Sequence, residues 1–115
     1  MKVFKELKLK KNETAAIQEA VHLLKEQFPV EDVILFGSKA RGDSDPESDI
    51  DLLLLTKKPL DWKERHQIVD ALFEVELKND VVISIMVNTL HDWNDGICTA
   101  LPIHEEINRE GVAMQ

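Results

Sequence analysis

A chain of 115 residues, 43% hydrophobic and 31% charged, is sized for one folded domain, 1–115, with a single core. Its formal charge of −8 argues against the basic face that unaided nucleic-acid binding needs, so no direct nucleic-acid contact is expected. The lone Cys98 leaves no intramolecular disulfide, the apolar runs fall far short of a bilayer span, and the N-terminus MKVFKELKLKKNE has no signal-peptide core. These features point to a cytoplasmic protein with no membrane partner.

In chain order, Asn12 offers a helix cap with Glu13 near the positive end of the dipole, and Ile17, Ala20, Val21, Leu24 and Phe28 follow at helical spacing until Pro29. VILF, Val33 to Phe36, reads as a short strand ended by Gly37. DIDLLLL, Asp49 to Leu55, reads as a second strand buried on both faces. Asp61 and Glu64 form a capping box for a helix that places Ile68, Val69, Leu72 and Phe73 on one side. DVVISIMV, Asp80 to Val87, reads as a third strand. A short helix is expected after Thr89, and another from about Pro102 to Arg109 closed by Gly111.

Between the first two strands, acids recur at every second position: Asp43, Asp45, Glu47, Asp49 and Asp51. Strand alternation points Asp49 and Asp51 to one face, about 7 Å apart, where they repel by about 2 kcal/mol. Burial adds a desolvation cost. Divalent cations relieve both, since two carboxylates on a rigid strand can hold Mg²⁺, which in turn takes phosphate oxygens. Upstream, Gly37 and Ser38 follow a strand directly, and a turn there can aim backbone N–H groups and a hydroxyl at an anion. Glycine lets a phosphate come close, Lys39 and Arg41 add positive charge, and Gly42 turns the chain back. Phosphate grip and metal carboxylates together describe a site for a metal-bound nucleoside triphosphate.

Duller readings compete. An EF-hand counted from Asp43 needs Gly at its sixth position and Glu at its twelfth, where this chain has Ser48 and Leu54. Asp43, Asp45 and Glu47 then read as a solvated loop. His22, His66, His91 and His104 show no metal spacing. Trp62 and Trp93 are expected half-buried near helix starts, and Cys98 as a small packed residue.

Gly37-Ser38, ten residues, then Asp49-Ile50-Asp51 resembles the GS-x10-D-x-D signature of the DNA polymerase β-like nucleotidyltransferases. Phe36, the Arg41-Gly42 pair and Ser48 extend the match, and the small size resembles the minimal nucleotidyltransferases that serve as antitoxins to HEPN-domain ribonucleases. The resemblance implies an α+β fold, a small mixed β-sheet of at least three strands flanked by helices. It implies Mg²⁺ at Asp49 and Asp51, and triphosphate on Gly37 and Ser38 with Arg41. It implies transfer of a nucleoside monophosphate, AMP from ATP, to a tyrosine hydroxyl of a partner HEPN toxin.

The family's third carboxylate belongs on the strand after the long helix. There Asp80 and Ser84 share a face if the strand begins at Asp80. Asp80 has the right chemistry at the strand's edge and is preferred as the third catalytic carboxylate. Ser84 has the better depth but is a poor Mg²⁺ ligand. If Ser84 holds the position, the chain is a weak or inactive member that neutralises its toxin by binding alone. Transfer to a small molecule such as an antibiotic is a third class, disfavoured because nothing in 115 residues is left for a substrate domain.

Overall fold

The structure, a computed structural model, describes residues 7–43 and 47–114. Helix α1, Lys11–Gln27, repeats apolar residues at spacings of three and four, and so buries Ala16, Ile17, Ala20, Val21 and Leu24 along one face. Its cap lies two residues before Asn12. The Lys10 N–H donates to Glu13 Oε1 at 2.9 Å, which closes the first turn, while the Asn12 amide donates to Asn79 O at 3.0 Å instead. Phe28 and Pro29 end the helix and strand β1, Val30–Phe36, begins at once.

After the single-turn helix α2, Ser38–Arg41, strand β2 runs Ile50–Thr56. Its four leucines are all buried, as the unbroken apolar run implies. Ile50, Leu52 and Leu54 pack in the layer of α1 and α3, where α3 spans Trp62–Asn79. Leu53 and Leu55 pack on the other side with Trp93, Cys98 and Ile107. The capping box of α3 forms as read, with Glu64 N–H donating to Asp61 Oδ1 at 2.8 Å and Asp61 N–H to Glu64 Oε1 at 3.4 Å. Only Ile68, Leu72 and Val75 of α3 are buried, however; Val69 and Phe73 face out, as does Trp62.

Strand β3, Ile83–Thr89, starts three residues later than its β-branched composition suggests. Helix α3 claims the preceding residues: Asp80 caps it in the left-handed region (φ 54°), its N–H donating to Glu76 O, and Glu76 Oε2 accepts from Ile83 N–H at 2.9 Å. Thr89 then caps helix α4, Leu90–Asn94, by accepting from Asp92 N–H at 3.0 Å. A 3-10 turn, Ile97–Ala100, leads to helix α5, Pro102–Glu110, and Gly111 passes the chain into β4, Val112–Met114.

The sheet order is β3-β2-β1-β4. β1 runs antiparallel to β2 and to β4, whereas β2 and β3 are parallel, joined by the α3 crossover. The mixed sheet therefore has four strands, with α1 and α3 on one face and α4 and α5 on the other. Trp93 is fully packed there rather than half-exposed, its ring 4.6 Å from that of His104, whose Nε2 donates to Trp93 O at 2.7 Å. Among the described residues no helix is long and apolar enough to cross a membrane.

Candidate active site

The site begins where β1 ends. Phe36 pairs with Asp51 across the β1–β2 ladder, so the next residue, Gly37, is delivered beside the Asp51 carboxylate. Gly37 has φ 75° and ψ −158°, a conformation open in practice to glycine alone. A β-carbon there would run into Asp51 Oδ2 and lie 3.2 Å from its Cγ. The glycine is required by its own backbone and by the carboxylate, before any phosphate is considered.

Ser38, half-exposed, opens α2. Gly37 O accepts from Ala40 N–H (3.1 Å) and Arg41 N–H (3.0 Å), and Ser38 O from Gly42 N–H (2.9 Å) and Asp43 N–H (3.2 Å). Gly42, at φ 84°, reverses the chain. Lys39 does not join the phosphate side. It is buried and ion-paired with the buried Glu13, which ties this turn to the first turn of α1. Burial pushes the Glu13 carboxyl up, but hydrogen bonds from Lys39 and from Lys10 N–H, with the charges of both lysines, outweigh it and hold the pKa below the ordinary value. The sequence shows both residues and gives no sign that they meet.

Asp49 stands exposed just before β2, and Asp51, half-buried, lies on the strand face of Leu53 and Leu55. Burial raises the Asp51 pKa, the charge of Asp49 raises it further, and Arg41 works against both. The charge of Asp49 thus bears on Asp51, although Asp49 lies one residue before the strand and strand alternation does not set its direction. Arg41 itself is held by carboxylates: its Nε donates to Asp43 Oδ2 at 3.2 Å, and one terminal nitrogen lies 3.4 Å from Glu110 Oε2 and 3.9 Å from Glu106 Oε1. Asp43 is the first cause of its raised pKa. Arg41 borders a hollow of about 220 Å³ with Phe36, Gly37, Ile103 and Glu106, so it does stand beside the turn. The acids of α5 that hold it were invisible from the motif, being some 65 residues away in sequence.

At the third-carboxylate position, the β2–β3 register sets Ser84 opposite Asp51. Asp80 does not share that face, because it belongs to the end of α3. It lines a different hollow, with Lys10, Asn12, Glu13 and Ser48. Among the described residues no three His, Cys, Asp or Glu side chains form a metal-holding group. Asp49 and Asp51 are the two carboxylates here that could hold a metal, close enough for the charge of Asp49 to raise the Asp51 pKa. That suits Mg²⁺, which binds through one or two carboxylates and completes its shell with water and phosphate oxygens. Of the loop acids, Asp45 lies outside the described residues, while Asp43 and Glu47 are exposed, as a solvated loop requires.

Residues 18–98 match the family model for polymerase beta nucleotidyltransferases. A relative from Methanocaldococcus jannaschii, named as a protein adenylyltransferase, is 35% identical over 102 residues, covering 87% of this chain and 95% of the relative. A second protein of that name and organism is 47% identical over 55 residues, a match that covers 48% of this chain and 56% of that one. Among solved structures, a toxin–antitoxin complex with AMP-PNP contains a chain that superposes with a TM-score of 0.58 at 16% identity, covering 90% of this chain and 72% of that one, and so shares the fold.

Proposed function

We propose that this chain, which belongs to the polymerase beta nucleotidyltransferase family, transfers AMP from ATP to a hydroxyl of a partner protein and acts as its antitoxin. One observation carries the reading: the Gly37-Ser38 turn packs directly against Asp51, with Asp49 two residues before it. In this reading a triphosphate grip and a carboxylate pair lie side by side at the end of the sheet. The names of the relatives support the protein acceptor, and the toxin–antitoxin neighbour supports the antitoxin role.

In this reading Asp49 and Asp51 hold Mg²⁺, which when bound neutralises charge on the phosphates and on the carboxylates themselves. Gly37 and Ser38 orient the triphosphate through backbone N–H groups and the Ser38 hydroxyl, and Arg41 exchanges its carboxylate partners for phosphate. The acceptor oxygen bonds to the α-phosphorus, the bond to the bridging oxygen of the β-phosphate breaks, and pyrophosphate leaves. The hydroxyl proton is lost to a carboxylate or water of this open site. The acceptor we assign is a tyrosine of a HEPN-type toxin.

Ser84 opposite Asp51 favours a second reading, in which two carboxylates leave transfer weak and the toxin is silenced by contact. Co-purifying the native partner and taking its intact mass with and without Mg·ATP separates the two. A gain of one adenylate per modified site, lost with Asp51→Asn, supports transfer. Unchanged mass with full neutralisation supports contact.

A further inference from the structure

Helix α3 carries two apolar rows. Ile68, Leu72 and Val75 enter the core, but Trp62, Val69, Phe73 and Leu77 form a second row that is 74%, 50%, 55% and 64% exposed. With His66 they are spaced 4, 3, 4 and 4 residues apart, so they line one face of the helix rather than scatter over its surface. α1 cannot cover the row. It packs on the other flank of α3, where Glu19 binds Lys78 at 2.6 Å and Asn79 at 2.9 Å.

We infer that this row is a homodimer interface, on which α3 of a second copy packs antiparallel. The charges beside the row select that occupant. At 100° per residue, Lys63, Asp70 and Glu74 lie on one flank of the row, and Arg65 and Glu76 on the other. An antiparallel crossing centred between Val69 and Asp70 sets Trp62 against Leu77 of the second copy. The same crossing sets Lys63 against Glu74 and Arg65 against Glu76, each pair occurring twice by symmetry, and Asp70 against its own copy once, so the attractive pairs outnumber the one like-charge contact four to one. Parallel pairing in register would instead oppose Lys63 to Arg65 and Glu74 to Glu76. Pairing opposite charges in this way lets a chain of charge −8 approach its own copy. The inference stands apart from the nucleotide reading, because Asp51 lies on the opposite face of the sheet from α3.

Sedimentation velocity across a concentration series tests it. The wild type is expected to form a dimer. Phe73→Glu, a surface change, should give a monomer with unchanged circular dichroism and a melting temperature that no longer rises with protein concentration. Lys63→Glu should weaken association by about tenfold or more, and adding Glu74→Lys should restore it. A wild type that stays monomeric overturns the inference, as does a dimer indifferent to Phe73→Glu or a charge swap that restores nothing. A monomer whose row becomes protected only in complex with a co-expressed partner would assign the face to that partner and overturn it equally.

Discussion

Replacing Gly37 by alanine should cost more than the usual price of a left-handed residue, and the excess should vanish when Asp51 is shortened. The backbone at φ 75°, ψ −158° costs a side chain about 1–3 kcal/mol by itself. The new β-carbon also meets the Asp51 carboxylate, which must leave its rotamer for about 0.5–1.5 kcal/mol more. The sum, about 1.5–4.5 kcal/mol, lowers the melting temperature by roughly 6–18 °C in a domain of this size. Gly42→Ala is the control: at φ 84° with nothing within 4 Å of its β-carbon, it should cost only about 1–2 kcal/mol. In an Asp51→Ala background, the atom nearest to the new side chain is the β-carbon of residue 51 at 3.5 Å, an ordinary contact, so the collision disappears. Urea unfolding of the four proteins of this cycle should show a coupling of about 1 kcal/mol. Equal costs for Gly37→Ala in both backgrounds, or a cost no larger than that of Gly42→Ala, would refute the packing of turn against carboxylate.

Asp51→Asn should abolish nucleotide transfer and raise the melting temperature near neutral pH. The Asp51 pKa is raised, so the folded state penalises its ionised form; the gain should fade as pH falls below the ordinary carboxylate range, where both states are protonated. Glu13→Gln should destabilise by about 1–3 kcal/mol by removing the carboxylate that pairs with the buried Lys39, as read from urea unfolding. Because the Glu13 pKa is lowered, its contribution is present above the ordinary carboxylate value and lost as pH falls through the folded one, so Glu13→Gln should also flatten the acid limb of the stability profile. Asp80→Asn should leave transfer and stability nearly unchanged, since asparagine tolerates the left-handed cap, while Ser84→Asp should destabilise without Mg²⁺ and recover with it in thermal melts.

The glycine turn beside Asp51 is legible because turn chemistry is local. The same holds for β2, whose four consecutive leucines have no polar side to expose. What failed was decided at a distance. The start of β3 depended on Glu76 reaching Ile83 and on Asp80 ending α3, although DVVISIMV has strand composition throughout. β4, three residues long, carries too few side chains to show an alternation. Lys39 reads as positive charge beside the turn, and α1 instead brings Glu13 against it. On α3, hydrophobicity marked Ile68, Val69, Leu72 and Phe73 together, but periodicity cannot say which edge of a broad stripe meets the sheet.

The most direct test of the account uses ATP labelled in turn at the α- and γ-phosphate, incubated with the purified chain, its native partner and Mg²⁺. The account predicts label on the partner protein from the α-position alone, released pyrophosphate in equal amount, and neither with Asp49→Asn or Asp51→Asn. Label arriving from the γ-position, or α-label that survives loss of both aspartates, would contradict it.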